Sequence, residues 1–321
     1  MPVLSHTGTA DKEQIRDAFF PFARPDYITG MLIGDDLDSL LSAMILHRRF
    51  GWPVKAVYCK YAHIWYNEAP EAFAQQLYSG RLFAVDLDIY HPAVPSLGHH
   101  MIAWNDGDAL PGHSHTLNPN ALRGFTATRD YRRKYPLATV HFLQWLLEET
   151  LATEGAHLLT WLADSAYINA QRYQKNVEEW IVNYLSLPGF VDALPGLQTL
   201  DFERAMQEKI LSPLSANTLC RSGRSACRSR HLGLSGFQCQ FENPHLQNSL
   251  IQKLLDLLSD LSGWPRLPFP ETFGLQQEGQ RREVRLSEIR HAGLSLDAWL
   301  ERTGVFSYAF TYSDRMNYTV M

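Results

Sequence analysis

The sequence lacks a long apolar segment and a strong excess of charge. No run of about eighteen apolar residues occurs, so no membrane-spanning helix is expected. The net charge is −5, which gives no global electrostatic attraction to nucleic acid or to anionic lipid. A polyanionic partner would therefore have to bind a local basic patch.

The sequence also has few cysteines and no visible export signal. The first thirty residues contain Asp11, Glu13 and Asp17 and lack a continuous apolar segment, so we expect no signal peptide. Without an export signal, four cysteines in a chain of this length predict reduced thiols in a cytoplasmic protein. These cysteines are Cys59, Cys220, Cys227 and Cys239.

The length and composition are those of a globular protein. The chain has 321 residues, of which 45% are hydrophobic and 20% are charged, and it is long enough for two domains. We expect a lead-in over residues 1–26, a first domain over 27–190, and a linker with a second domain over 191–321. The proposed end of the first domain lies where two Pro-Gly pairs interrupt the chain.

Strand-like and helix-like segments alternate after the lead-in. Apolar segments at residues 27–33, 54–58 and 81–85 have the character of buried strands, and helical patterns follow the first two. This alternation is typical of a parallel sheet covered by helices on both faces. We therefore predict an α/β fold, with a smaller α/β domain at the C-terminus.

Aspartates follow several of the predicted strands. Asp36 and Asp38 follow the first, Asp86 follows the segment at 81–85, and Asp164 follows a further predicted strand at 156–163. Carboxyl ends of parallel strands meet at one edge of the sheet, where such folds bind ligands. Acids gathered there repel one another unless they are protonated or bridged by a cation. The pattern predicts a metal site, although Asp35 or Asp36 could simply cap the helix that follows the first strand.

A pair of adjacent histidines follows the second group of acids. His99 and His100 lie thirteen and fourteen residues after Asp86. A lone histidine is most often a core residue, but an imidazole beside strand-end carboxylates can bind a metal or an oxyanion. We expect at least one of the two histidines to be functional.

The last third of the sequence contains a segment rich in arginine and serine. Arg221, Arg224, Arg228 and Arg230 lie within ten residues, and guanidinium groups match the oxygens of phosphate. Arg315 is a further candidate for phosphate binding. A mobile loop is an equally good interpretation of the segment at 221–230.

The order of these acids and histidines resembles that of the DHH phosphoesterase superfamily, over residues 27 to about 185. This superfamily includes RecJ-type exonucleases, oligoribonucleases, cyclic dinucleotide phosphodiesterases and manganese-dependent pyrophosphatases. The resemblance implies two divalent ions, Mn²⁺ or alternatively Mg²⁺, and mostly oxygen ligands with one imidazole agree with that choice. The implied metal ligands are Asp36, Asp38, Asp86, His99 and Asp164. The implied catalytic residues are Asp38, His99 and His100.

The sequence departs from the superfamily pattern at several positions. Gly98 stands where the name-giving aspartate is expected, Pro95 interrupts the strand before the histidines, and the Gly-Gly-x-His signature is absent. Asp88 or Asp106 could take the place of the missing aspartate. The other interpretation is a site that has decayed.

The resemblance implies hydrolysis of phosphodiester bonds in single-stranded nucleic acid or short oligonucleotides by a two-metal mechanism. A cyclic dinucleotide is an alternative substrate. A second alternative is a haloacid-dehalogenase-type phosphatase, in which Asp86 is the nucleophile and Asp88 the acid. A third is a degenerate, non-catalytic scaffold or binding module. We expect no membrane partner, and an oligomer is compatible with the sequence.

Overall fold

The computed structural model describes residues 10–223 and 227–321. The strands of these residues are β1 Gly30–Ile33, β2 Val54–Cys59, β3 His63–Tyr66, β4 Leu82–Val85, β5 Ser96–Leu97, β6 Thr116–Leu117, β7 Cys220–Ser222, β8 Phe237–Cys239, β9 Leu275–Glu278, β10 Gln280–Arg285, β11 Val305–Tyr312 and β12 Arg315–Val320. The helices are α1 Lys12–Ala18, α2 Phe20–Ala23, α3 Leu37–Phe50, α4 Pro70–Tyr78, α5 Pro119–Leu122, α6 Ala127–Asp130, α7 Thr139–Leu147, α8 Glu154–Leu162, α9 Ala166–Arg172, α10 Gln174–Glu178, α11 Pro188–Ala193, α12 Leu200–Ala205, α13 Ser212–Leu214, α14 Asn248–Ser262, α15 Leu286–His291 and α16 Leu296–Thr303. Helices α10 and α12 continue into π-helical turns at Glu179–Tyr184 and Met206–Leu211.

The main sheet has seven strands in the order β6-β5-β4-β1-β2-β3-β9. The five strands from β6 to β2 are parallel, whereas β3 and β9 pair antiparallel at one edge. The predicted α/β fold with a largely parallel sheet is confirmed.

Apolar side chains cover both faces of the main sheet. Leu32 of β1 packs in a core with Phe73 and Leu77 of α4. Its neighbours Met31 and Ile33 belong to the core on the other face, which contains the apolar side chains of α3. Successive side chains of a strand point to opposite faces, so a central parallel strand is apolar throughout. This continuous apolar character is why β1 could be predicted from the sequence.

The last third of the chain forms two smaller sheets and also contributes to the main one. Strands β10, β12 and β11 form a C-terminal sheet, and β7 and β8 form a two-stranded ribbon, the β7–β8 ribbon. Strands β11 and β12 pair antiparallel as a hairpin. Strand β9 pairs with β3 at the edge of the main sheet, and Tyr90 donates its backbone N–H to Phe306 of β11. The division of the chain at residue 190 stays a prediction.

The strand predicted at residues 156–163 is wrong, because this segment is helix α8. Thr153 caps it by accepting a hydrogen bond from the backbone N–H of Ala156 at 3.0 Å. The helix is buried on most of its surface, and a short apolar run gives no periodicity that separates a buried helix from a buried strand. Asp164 therefore follows a helix rather than a strand.

The expectation of four reduced thiols is also wrong. Cys220 and Cys239 form a disulfide across the β7–β8 ribbon, where they are directly opposed. The two cysteines were separated by nineteen positions in the sequence, with no motif to show that strands would bring them together. Cys59 and Cys227 are free thiols. Within the described residues, no helix combines the length and apolar character needed to cross a bilayer.

Candidate metal centre

Three side chains from distant parts of the chain meet beyond the ends of β1 and β4. Asp38, Asp86 and His99 each offer a ligand atom, and these atoms all lie within 4.8 Å of one another. His99 Nδ1 is 3.3 Å from Asp86 Oδ1 and 3.7 Å from Asp38 Oδ2. Two buried carboxylates and an imidazole at these distances can hold a divalent cation.

Asp38 is fixed by the beginning of α7. It lies in the first turn of α3 and is 1% exposed. Its two carboxylate oxygens accept hydrogen bonds from the backbone N–H groups of Thr139 at 2.7 Å and Val140 at 2.9 Å. These N–H groups have no partner within their own helix, so the carboxylate satisfies them while they hold it in place.

Asp86 follows β4 directly and has a left-handed backbone conformation, with φ of 60°. Its carboxylate accepts hydrogen bonds from the hydroxyl groups of Thr139 at 2.7 Å and Ser39 at 2.8 Å. The Thr139 hydroxyl is also 2.9 Å from His99 Nδ1. One threonine therefore orients members of the cluster through both its backbone and its side chain.

Asp164 closes the other side of the histidine. Its Oδ2 atom lies 3.0 Å from His99 Nε2, and its side chain is 39% exposed. Asp164 and Ser165 both have positive φ, at 50° and 54°. This bend after α8 turns the carboxylate back toward the cluster, although the preceding element is not the predicted strand.

Asp36 has two roles in this geometry. Its Oδ1 atom accepts a hydrogen bond from the backbone N–H of Ser39 at 3.0 Å, so it caps α3, and it lies 3.0 Å from the Ser39 hydroxyl oxygen. It also lines a cavity of about 790 Å³ together with Asp38 and Asp164. Asp36 therefore caps α3, as one interpretation of the sequence expected, and Asp38 in turn caps the beginning of α7.

The acids and the histidine perturb one another strongly. Burial, followed by the charge of Asp86, raises the pKa values of Asp36 and Asp38 well above their ordinary range. Burial would also raise the pKa of Asp86, but hydrogen bonding and charge from His99, with the hydroxyl groups of Thr139 and Ser39, lower it to about 2. Burial would lower the pKa of His99, yet hydrogen bonds to Asp164 and Asp86 raise it well above its usual value. In the absence of a metal ion, an imidazolium thus partly neutralises the site.

His100 is held by Asp88 rather than by the three-residue cluster. Asp88 Oδ2 accepts hydrogen bonds from the backbone N–H of His100 at 3.1 Å and from its Nδ1 at 3.2 Å. Asp88 Oδ1 accepts from the Asn118 amide at 2.8 Å. The rings of His99 and His100 stack with centroids 4.5 Å apart. The second histidine therefore lies beside the cluster in a fixed orientation.

The carboxylate of Asp88 fills the space beside Gly98. A β-carbon added to Gly98 would lie 2.4 Å from Asp88 Cγ. Asp106, the other candidate substitute for the missing aspartate, forms an exposed ion pair with Arg129 at 2.6 Å. Of the two candidates, only Asp88 lies at the site.

The cavity beside the carboxylates, the acidic cavity, has the β7–β8 ribbon as one wall. Arg221 and Ser222 of β7 line it opposite Asp36 and Asp164. The Gln240 amide donates to Asp35 Oδ1 at 3.1 Å, and Phe241 donates its backbone N–H to the carbonyl of Asp35 at 3.0 Å. These bonds attach the chain after the ribbon to the loop after β1.

The other predicted phosphate-binding arginines lie elsewhere. Arg228 donates to the carbonyl of Gly233 at 3.4 Å, and Arg230 donates to the carbonyl of Gln171 at 3.2 Å. Arg315 lies 3.6 Å from Glu283. Arg224 lies outside the described residues. Arg221 is thus the member of the predicted set that the structure places beside the acids.

Several residues of the site were missed by reasoning from the sequence. Thr139 and Ser39 gave no signal, because hydroxyl groups are common and these two are 100 residues apart. Tyr61, with φ of 52°, has its ring centroid 6.5 Å from that of His100. Asp35 accepts a hydrogen bond from the Lys60 backbone N–H at 2.8 Å, and burial raises its pKa to about 6. Asp35 was noticed in the sequence as a candidate helix cap, but its bond to the Lys60 backbone was not.

Comparison of the chain with protein-family models, with curated proteins and with solved structures found no match.

Proposed function

We propose that the protein is a metal-dependent phosphodiesterase of the DHH type, acting on single-stranded nucleic acid or short oligonucleotides. The observation that carries this proposal is the convergence of Asp38, Asp86 and His99 in one buried cluster. These residues come from separate elements, and burying several like charges together is costly unless a cation compensates them.

The donor set fits two divalent ions of the manganese or magnesium type. Asp36, Asp38, Asp86, His99 and Asp164 would hold them, with carboxylate oxygens in the majority. When bound, such ions supply a hydroxide at neutral pH and offset the charge on the attacking and leaving oxygens. For this role His99 must bind as a neutral imidazole, so metal binding would replace the imidazolium described above.

The chain's own residues supply positioning. Thr139 and Ser39 hold the carboxylate of Asp86 through their hydroxyl groups. Asp88 holds the ring of His100 beside the cluster, where the imidazole can contact a phosphate oxygen. Arg221, across the acidic cavity, is suited to a substrate phosphate through its guanidinium fork.

Backbone strain favours a working site over a decayed one. Non-glycine residues with positive φ are uncommon, although aspartate tolerates the conformation better than most, and they cluster at functional sites. Three of them, Asp86, Asp164 and Ser165, belong to the group of acids around His99 or directly follow one of its members. Asp88 in the space beside Gly98 likewise supports a substituted site, because it keeps a carboxylate next to the histidine pair.

The phosphatase alternative receives less support. It requires Asp88 to act as an acid beside a nucleophilic Asp86. Both oxygens of Asp88 instead accept hydrogen bonds from His100 and Asn118, as expected of a group that positions its neighbours. A cyclic dinucleotide remains an alternative substrate, and the cytoplasmic location stays a prediction from the sequence.

Activity assays of the purified protein with Mn²⁺ test the proposal. The substrates are labelled single-stranded DNA, short RNA and cyclic dinucleotides, and the key variant is Asp164→Asn, whose partly exposed side chain can change without disturbing the core. We expect turnover of the linear substrates, reduced about a hundredfold or more by Asp164→Asn, since metal and charge stabilisation contribute several kcal/mol. Asp106→Asn, a surface acid, is the matched control. If none of these substrates is turned over in a metal-dependent manner, the proposal is contradicted and a binding module is favoured.

A further inference from the structure

Three cavities adjoin one another along the edge of the main sheet. The acidic cavity shares Asp164 and Asn169 with a second cavity of about 710 Å³. We call it the tyrosine cavity, after Tyr131, Tyr135 and Tyr173 in its walls. It shares His100 and Lys134 with a third cavity of about 190 Å³, the basic cavity. The carboxylate–imidazole cluster lies where the first two meet.

The basic cavity has an excess of positive charge. Its charged walls are formed by Lys134, Arg281 and Asp88, with His100 between them. Asp88 already accepts hydrogen bonds from His100 and Asn118, so both of its oxygens have donors, and the two cations outnumber this one carboxylate. The two cations face the cavity from different elements, the segment before α7 and strand β10.

Lys134 is a partly buried ammonium without an acidic partner among the described residues. Its Nζ atom lies 3.4 Å from the hydroxyl of Tyr131 and 4.5 Å from the centre of that ring. Within the described residues, no carboxylate oxygen lies within 4.0 Å of Lys134 Nζ, the limit for an ion pair. Burial lowers the pKa of this lysine, and the charge of Asp164, which forms no ion pair with it, opposes that shift. A buried charge is normally paired, so this site is suited to an anion that comes from outside the chain.

Arg281 completes the cavity from the C-terminal sheet. Its guanidinium carbon lies 5.6 Å from the ring centre of Tyr61, and its strand neighbour Arg282 points to the opposite face. Tyr61 is fixed from the same sheet, because the hydroxyl of Thr319 donates to its carbonyl. The guanidinium therefore lies over a ring that itself contacts His100.

We propose that the basic cavity binds a second phosphate group of the substrate, through Lys134 and Arg281. This inference rests on the proposed function and narrows its substrate class to phosphodiesters that carry a further phosphate. At about 190 Å³, the cavity is smaller than the roughly 300 Å³ at which pockets for drug-sized ligands begin. It thus suits a phosphate group and not a whole nucleotide. His100, shared with the tyrosine cavity, links this phosphate to the one at the cluster.

Equilibrium binding of short dinucleotides tests the inference without catalysis. Isothermal titration calorimetry in excess chelator compares the dinucleotide ApA, which has no terminal phosphate, with pApA and ApAp, which carry one at either end. We expect at least one of the phosphorylated forms to bind about tenfold or more tightly than ApA, since hydrogen bonds to charged groups are the stronger kind.

Two substitutions and one control test whether the tighter binding of the phosphorylated dinucleotides comes from the basic cavity. Arg281→Gln and Lys134→Gln should each remove most of the preference for the terminal phosphate, whereas Arg282→Gln, on the other face of β10, should retain it. Arg281 is exposed, so its variant is expected to fold even if the lysine variant does not. Equal binding of all three dinucleotides by the unmodified protein would overturn the inference, as would a preference that survives Arg281→Gln.

The outcomes separate this inference from the proposed function. In one outcome, Arg281→Gln abolishes the preference for a terminal phosphate, but the protein hydrolyses none of the dinucleotides with Mn²⁺. That result would support the second phosphate site and contradict the proposed phosphodiesterase activity. Hydrolysis of ApA and pApA with equal Michaelis constants, together with equal binding, would leave the phosphodiesterase intact and overturn the second phosphate site.

Discussion

Asp88 and Gly98 are the pair of residues on which the intactness of the site depends most. The glycine lets the Asp88 carboxylate approach the histidine pair, because any β-carbon at position 98 would overlap it. The aspartate expected at position 98 is missing from the sequence, and Asp88 and Asp106 were the two acids that could replace it. The sequence does not distinguish these two acids, since both lie at similar distances from Gly98 along the chain. Only the folded structure places Asp88 against His100.

The substitution Gly98→Asp should therefore damage the protein even though it restores the superfamily pattern. We expect a loss of about 1–3 kcal/mol in the free energy of unfolding, because a side chain is forced into filled space. Urea denaturation measures this loss. The double variant Gly98→Asp with Asp88→Gly should recover part of it, since the two sites are coupled. Full stability of the single variant would show that the space is not filled as described.

At the scale of elements, the central strands could be predicted, whereas their order in the sheet was not predicted and helix α8 was assigned wrongly. Strands β1, β2 and β4 were recognisable because central parallel strands are apolar on both faces, and α4 began at Pro70 as expected for the first turn of a helix. Helix α8 was mistaken for a strand because its burial hides the helical period. The error did not remove Asp164 from the site, because a left-handed turn directs it to His99.

The disulfide of the β7–β8 ribbon gives a prediction for this element. Alkylation of the denatured, unreduced protein should modify two thiols, those of Cys59 and Cys227, and reduction beforehand should raise the number to four, as read by intact mass. Reduction should also lower the free energy of unfolding by about 2–4 kcal/mol, since the bridge restricts the unfolded chain. Four modified thiols without reduction would contradict the bridge between Cys220 and Cys239.

At the scale of the whole molecule, the site depends on elements that the sequence could not bring together. The acids were predictable because strand ends in a parallel sheet share an edge. Lys134 and Arg281 were not, because they meet only when the C-terminal sheet packs against the first 190 residues, as at Tyr90 and Phe306. The arginine-rich segment was singled out by its composition, yet Arg228 and Arg230 donate to the backbone carbonyl groups of Gly233 and Gln171.

Stability of the whole molecule should fall in mild acid, partly because of His113. Burial lowers the pKa of this histidine to about 4, from an ordinary value of 6.5. The unfolded chain therefore binds a proton below pH 6.5 while the folded protein resists it, so stability is complete above pH 6.5 and declines toward pH 4. The expected contribution of this group to that decline is about 3 kcal/mol.

Chemical denaturation between pH 7 and pH 4 in excess chelator measures this effect. The variant His113→Gln should show a shallower decline in the free energy of unfolding than the unmodified protein. His115→Gln is the control, because His115 is exposed and its loss should leave the slope unchanged. An identical slope in the His113 variant would show that this histidine does not resist protonation.

The central claim is that dispersed acids and one imidazole form a binuclear metal site, and anomalous diffraction from crystals soaked in Mn²⁺ tests it most directly. Data collected on both sides of the manganese absorption edge should show two peaks among Asp36, Asp38, Asp86, His99 and Asp164. A single peak would reduce the site to one ion. If a crystal soaked at an Mn²⁺ concentration well above micromolar shows no manganese peak among these side chains, the claim of a metal site is contradicted.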